Sequence, residues 1–169
     1  MTNINEASLS RVWQHTTNGK SAIGILTAFR GEYTAEENVN RNKLLAANIR
    51  TLGYGFFYLD GYWIENQNTA EEQHVKEDSL FVIGKITDTA FANNIHSLGN
   101  KFEQEAVIVQ DEHPARLIFK DNTISELGVL QPGSLGEIYS KLRRNKGTFI
   151  FKEERDDVGW IGRLADISK

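Results

Sequence analysis

Two arginines and two asparagines near the start of a predicted helix have the side-chain chemistry to bind an anion. Arg30 ends an apolar segment, and Asn38, Arg41 and Asn42 lie on the helix that follows. Guanidinium groups hold carboxylates and phosphates through paired hydrogen bonds, and side-chain amides supply further donors. A helix N-terminus adds free N–H groups and partial positive charge. The sequence therefore predicts that these residues bind a phosphate or a carboxylate.

These polar residues stand where the helix pattern calls for apolar ones. Extended back by one turn from Leu45, the apolar stripe of the helix reaches Arg41 or Asn42, and a second turn reaches Asn38. Polar groups on that face need partners, because burying one unpaired costs about 1–3 kcal/mol. Two explanations stay open. One is a bound anion; the other is a structural network in which Arg41 pairs with a carboxylate such as Glu65 and the asparagines cap loops.

A catalytic use of the same cluster requires a carboxylate as general base. Glu65 and Glu105 are the candidates. With Arg30 and Arg41 clamping a phosphate, the protein would act on a nucleotide or a phosphodiester. The alternative for Glu105 is a solvent-exposed helix end without a catalytic role.

The acidic segment at residues 71–78 is interpreted as a solvated loop rather than a metal site. Its metal-capable side chains lack the rigid, regular spacing that zinc or a hard cation requires. They are Glu71, Glu72, His74, Glu77 and Asp78. The other histidines show no ligand spacing either. We therefore expect no metal ion and no cofactor.

The amino-acid composition limits the classes of protein to which the chain can belong. The 169 residues, of which 40% are hydrophobic and 25% charged, suit one globular domain with its own core. The net charge of −4 argues against binding an extended nucleic acid or an anionic membrane, and no segment has the length of a membrane span. The absence of cysteine excludes disulfides and fits a cytoplasmic location.

A strand, a helix and a hairpin would position the cluster. Residues 21–29 are apolar and short enough for a buried strand. Thr34 and Glu37 form a capping box, from which a helix should run to about Leu52, with Gly53 as its C-terminal stop.

Asp60-Gly61 predicts a two-residue hairpin turn, because both residues tolerate positive φ. The turn would pair residues 56–59 with residues 62–65 and give the hairpin an aromatic face. Two roles stay open for these aromatic residues: a stacking platform for a base, nucleotide or sugar, or burial in the core.

The rest of the chain predicts a loop at 66–78, further strands and two more helices. Thr87 or Asp88 would cap the second helix, and the capping box of Ser134 and Glu137 would start a third. The further strands are expected at residues 79–84, 106–109, 115–119, 148–152 and 160–164. Helices and strands do not alternate strictly, so we predict a single α+β domain over residues 1–169, with a mostly antiparallel sheet and about three helices.

Several segments in order resemble a known family. They are LTAFR, EENVNRNKLL, IRTLGYGFFYLDGYWIEN, EDSLFVIG and LGNKFEQEAVIV, within about residues 8–110. Together they resemble an uncharacterised family of bacterial and bacteriophage proteins of unknown function. The resemblance implies a phage or prophage origin. The polar positions that match the family's pattern are Arg30, Asn38, Arg41, Glu65, Asp78 and Gln104.

Three functional hypotheses follow. The first is a small soluble phage-like accessory protein in the host cytoplasm that binds an anionic, nucleotide-like small molecule or a host protein. Its ligand-binding residues would be Arg30, Asn38, Arg41, Asn42, Glu65 and Gln104. The second is the hydrolase of nucleotides or phosphodiesters described above. The third is a virion-associated or assembly protein without a ligand.

Overall fold

The computed structural model describes residues 19–59, 61–128 and 148–151. The chain forms two compact units. We call the larger one, whose described residues are 19–58 and 79–128, the sheet unit, and the other, with residues 59–78 and 148–151, the small unit. The α+β fold with an antiparallel sheet is confirmed. That residues 1–169 form a single domain stays a prediction.

A six-stranded sheet forms the centre of the sheet unit. Its strands are β1 (Ser21–Leu26), β2 (Gly55–Leu59), β5 (Ser79–Lys85), β6 (Ala106–Gln110), β7 (Ala115–Phe119) and β8 (Ile124–Gly128). They lie in the order β2-β5-β1-β6-β7-β8, and the pairs of β1 with β5 and β6, and of β7 with β6 and β8, are antiparallel. The strands predicted at residues 79–84, 106–109 and 115–119 are confirmed, whereas β8 was not predicted.

Two helices belong to the sheet unit. Helix α1 (Ala35–Thr51) begins at the predicted capping box: Oγ1 of Thr34 accepts from the N–H of Glu37, whose carboxylate accepts from the N–H of Thr34. Helix α2 (Phe91–Lys101) follows Ala90, which offers no side-chain cap. Asp88 instead accepts from the N–H of Ala90 and stabilises the turn before the helix. The predicted third helix and the strand at residues 160–164 lie outside the described residues.

The core of the sheet unit is formed by side chains from one face of the sheet and from both helices. Alternate strand positions and one stripe of each helix supply its side chains, as the periods of strand and helix require. They include Ala22, Leu26, Leu45, Ala46, Ile49, Leu80, Val82, Phe91, Ile95, Leu98, Phe102, Val107 and Val109.

Two strand glycines bring α2 close to the sheet. A Cβ on Gly24 would lie 2.8 Å from Cγ1 of Ile95, and one on Gly84 would lie 2.6 Å from Cδ1 of Phe91. Carbon atoms normally approach no closer than about 3.5 Å, so a larger residue would push the helix away. The chain leaves α2 directly into residues 102–104, so this packing also positions that turn.

The small unit contains a three-stranded antiparallel sheet in the order β4-β3-β9. Its strands are β3 (Gly61–Glu65), β4 (Gln73–Lys76) and β9 (Thr148–Phe151). The hairpin predicted at Asp60-Gly61 is wrong, because β2 joins the six-stranded sheet and β3 pairs with β4 and β9 instead. The loop predicted at 66–78 is also wrong in part, because residues 73–76 pair with β3 as a strand.

Candidate functional site

Five of the six predicted ligand-binding residues come together in the sheet unit. They surround residues 27–33, the β1–α1 loop, and residues 102–104, the α2–β6 turn. We call this group the polar cluster; its members are Arg30, Asn38, Arg41, Asn42 and Gln104. Three of them, Asn38, Arg41 and Asn42, are the polar residues that interrupt the apolar face of α1.

Asn38 and Asn42 hold the backbone of the β1–α1 loop from one face of α1. Asn38 is 7% exposed; its Oδ1 accepts from the N–H of Arg30 at 2.9 Å, and its Nδ2 donates to the carbonyl of the same residue at 3.0 Å. Asn42 is 3% exposed, and its Oδ1 accepts from the N–H of Ala28 at 2.8 Å. A side-chain amide offers a donor and an acceptor side by side, so Asn38 binds the loop as a neighbouring strand would.

Arg41 links the loop to the α2–β6 turn. Its Nε donates to the carbonyl of Ala28 and its Nη2 to the carbonyl of Phe102, each at 2.7 Å. The same Nη2 lies 3.5 Å from Oε1 of Glu103, and the ring of Tyr33 lies 4.6 Å from the guanidinium carbon. Among the described side chains, Glu103 is therefore a carboxylate partner of Arg41, and the pairing predicted with Glu65 stays a prediction.

Gln104 completes the link from the other side. It is 4% exposed, and its Nε2 donates to the carbonyl of Phe29 at 3.1 Å and to that of Phe102 at 3.2 Å. The buried polar side chains of α1 and of the turn thus bind main-chain groups of the loop. Burying them is not penalised, because their hydrogen-bonding groups have partners. These contacts favour the structural network among the two explanations that the sequence left open.

Arg30 differs from the rest of the cluster because its side chain lies at the surface. Its Nε donates to Oε2 of Glu32 at 2.8 Å, and its Nη1 donates to the carbonyl of Glu103. The hydrogen bond with Glu32 raises the pKa of Arg30, and the same bond lowers the pKa of Glu32. Both groups therefore stay ionised at neutral pH.

The sequence reasoning did not select Glu32, Tyr33 or Glu103. The nearness of Glu32 to Arg30 in the sequence was a usable signal. Glu103 was not detectable from pattern alone, because it reaches the cluster through a turn in which its own φ is +63°. A non-glycine residue in that conformation is uncommon and is often found at functional turns.

Glu65, the sixth predicted residue, ends β3 of the small unit, and its side chain lies outside the described residues. Its role therefore stays a prediction. Asp78 of the same unit accepts at Oδ1 from the N–H of Gly61, at 3.2 Å. The solvated-loop interpretation holds for Glu71 and Glu72, which are exposed. It is wrong for His74, which is exposed but belongs to β4, and for Glu77, which is 3% exposed.

The described part of the chain lacks a cluster of metal ligands and a membrane-spanning helix. Residues 19–59, 61–128 and 148–151 contain no group of three or more potential metal ligands. Within the same part of the chain, neither helix has the length and apolar character needed to cross a bilayer.

Comparison with known proteins relates residues 24–152 to one family model, described as the S-adenosylmethionine lyase family. Two solved structures are similar to 65% of this chain, each with a TM-score of 0.33. One is a phage SAM lyase in complex with S-methyl-5'-thioadenosine, at 22% identity and with 90% of its chain covered. The other is a phage SAM lyase in the apo state, at 21% identity and with 89% covered. No curated protein matches.

Proposed function

Because the chain belongs to the S-adenosylmethionine lyase family, we propose that it cleaves S-adenosylmethionine, releasing S-methyl-5'-thioadenosine. The observation that supports this proposal is the family match over residues 24–152, a range that contains the whole polar cluster. The expected link to a phage-related family is confirmed, and the family is named for an activity rather than uncharacterised.

The bond to be broken joins the sulfonium sulfur to the amino-acid side chain of the substrate. Both electrons of this bond go to sulfur, which leaves as the neutral thioether of S-methyl-5'-thioadenosine. A lyase does not use water, so the four-carbon fragment has two fates. Its own carboxylate closes on the carbon that loses sulfur, giving a lactone without proton transfer, or a base removes a proton from the neighbouring carbon, giving an alkene.

The proposal refines the first functional hypothesis. It keeps a nucleoside-like small molecule as the ligand, and of the phosphate and the carboxylate predicted for the arginines it selects the carboxylate, that of an amino acid. The hydrolase and virion-associated hypotheses gain no specific observation from the described residues.

The test is to incubate the purified protein with S-adenosylmethionine in water enriched in oxygen-18 and to identify the products by mass spectrometry. We expect S-methyl-5'-thioadenosine together with a lactone or an unsaturated amino acid, neither carrying the label when formed. Labelled homoserine as the first product would show hydrolysis. Unchanged substrate at high protein concentration would contradict the proposed activity.

A further inference from the structure

Four charged side chains at the surface edge of the polar cluster form one patch, which we call the charged rim: Arg30, Glu32, Arg41 and Glu103. Arg30 contacts Glu32 through their side chains and Glu103 through its carbonyl, and Arg41 contacts the carboxylate of Glu103. The exposed fractions of these side chains are 34%, 56%, 20% and 57% in the order given. The patch is therefore continuous and open to solvent.

The charged rim has equal numbers of positive and negative groups. A phosphate dianion would meet two carboxylates beside the arginines, and the repulsion would offset much of the attraction. An amino-acid zwitterion has a carboxylate and an ammonium group on one carbon, so an alternating pattern of charge suits it better. Arginine is the preferred partner for a carboxylate, because its N–H groups match the two oxygens.

The charged rim retains hydrogen-bonding capacity toward solvent. Arg30 uses Nε and Nη1 for its contacts, and within residues 19–59, 61–128 and 148–151 its Nη2 has no protein partner. In the same ranges Oε2 of Glu103 has none either. A ligand can therefore add a guanidinium contact and a carboxylate contact without first breaking those that hold the rim.

The backbone beneath the charged rim is fixed before any ligand arrives. Asn38 binds both main-chain groups of Arg30, and Arg41 and Gln104 bind the carbonyl of Phe102, next to Glu103. A site whose main chain is already ordered loses less entropy on binding. The same contacts that make the cluster structural therefore make the rim a suitable binding surface.

We infer that the charged rim binds the α-amino-acid end of S-adenosylmethionine, with Arg30 holding the carboxylate and Glu103 the ammonium group. This inference rests on the proposed function. The nucleoside end of the substrate would then bind elsewhere, so loss of a rim charge should affect only ligands that carry the amino-acid end.

Two nucleosides test the two ends of the substrate separately, and calorimetry can measure the affinity of the protein for each. S-adenosylhomocysteine has the amino-acid end and a neutral sulfur, whereas S-methyl-5'-thioadenosine lacks the amino-acid end. For Arg30→Gln and Glu103→Gln we expect affinity for the first to fall about tenfold or more, the loss of one charged hydrogen bond, and affinity for the second to change less than about twofold.

Matched controls remove one charge of the same sign elsewhere on the sheet unit. Lys120→Gln and Glu126→Gln are suited to this, since both residues are exposed. Neither should change the affinity for either nucleoside. Thermal unfolding of each variant establishes that it folds; if Arg30→Gln does not fold, Glu103→Gln decides the result.

The outcomes distinguish the two proposals. If the wild-type protein releases S-methyl-5'-thioadenosine but the rim variants weaken both nucleosides equally, or neither, the rim inference is overturned and the proposed function stands. A wild-type protein that binds S-adenosylhomocysteine no better than S-methyl-5'-thioadenosine overturns the inference as well. A wild-type protein that neither binds these nucleosides nor cleaves S-adenosylmethionine removes the proposed function and the inference with it.

Discussion

Nε of Arg41 donates to the carbonyl of Ala28 at 2.7 Å, so that a helix side chain completes the hydrogen bonding of a loop main chain. The same guanidinium satisfies the carbonyl of Phe102. One side chain therefore bridges two segments that are far apart in the sequence and are brought together by the fold.

Replacing Arg41 by methionine should destabilise the protein. Methionine keeps much of the apolar stem and removes both donors. The carbonyl of Ala28 then loses its partner, at about 1–3 kcal/mol if it stays away from water, while the carbonyl of Phe102 keeps only the donor of Gln104. Urea unfolding would measure the change in free energy. Lys43→Met on the same helix is the control, because Lys43 is exposed and should matter little. Equal effects of the two changes would argue against the bridge.

Asn38→Asp tests the two-way hydrogen bond to Arg30. The aspartate keeps the shape and the acceptor but loses the Nδ2 donor, and its charge then faces the carbonyl of Arg30. We expect a loss of about 1–3 kcal/mol at neutral pH, and a smaller loss at acid pH, where the protonated carboxyl can donate again. The exposed Asn40→Asp serves as the control and should lie within about 0.5 kcal/mol of wild type.

Gly84→Ala should weaken the packing of α2 on the sheet. The new Cβ would lie 2.6 Å from the ring of Phe91, and such overpacking typically costs about 1–3 kcal/mol. Gly55→Ala is a matched strand substitution with no atom within 4 Å of the added Cβ, and it should be neutral or slightly stabilising. A melting temperature that falls equally in both variants would contradict the close approach of the helix.

The ion pair of Asp111 and Arg116 should contribute to stability in a pH-dependent way. Burial alone would raise the pKa of Asp111, but hydrogen bonds from Arg116 and from the N–H of His113 outweigh it and hold the pKa below its usual value. A lowered carboxyl pKa stabilises the folded state above the unfolded pKa of about 3.9, and this contribution is lost as the pH falls through the lower folded value.

Asp111→Asn should therefore lower stability at neutral pH. It should also remove part of the decrease in stability that occurs as the pH falls, which is the acid limb of the plot of stability against pH. Urea unfolding between about pH 2 and 7 would show this. Glu112→Gln, at an exposed neighbouring position, should leave the limb unchanged. An acid limb that is the same in Asp111→Asn and in wild type would mean that other carboxylates govern it.

Local signals predicted much of the fold. The capping box of Thr34 and Glu37 and the apolar stripe that begins at Leu45 identified α1, and apolar runs identified β1, β5, β6 and β7. The error at Asp60-Gly61 has a physical cause: the dipeptide permits a tight turn but does not choose partners, and strand pairing is decided by contacts far apart in the sequence. Here those contacts draw β2 and β3 into different sheets.

The polar cluster was predictable in membership but not in role. Asn38 and Asn42 stood out because they interrupt an apolar face, and that signal is the same for a ligand site and for a side chain that binds backbone. Only the partners distinguish the two, and the partners are main-chain atoms of the β1–α1 loop, which no residue pattern reveals.

Because Asn38, Arg41 and Asn42 bind main-chain atoms of the β1–α1 loop, these contacts do not depend on the side chains that the loop exposes to solvent. Substitution of the exposed Glu32 should therefore leave the loop's shape intact, whereas the buried Ala28 and Phe29 and the supporting positions on α1 tolerate little change. The loop is thus free to vary the groups it presents at the surface on an unchanged frame. The side chains that contact a ligand could therefore change, in evolution or by design, while the helix maintains the backbone conformation of the loop.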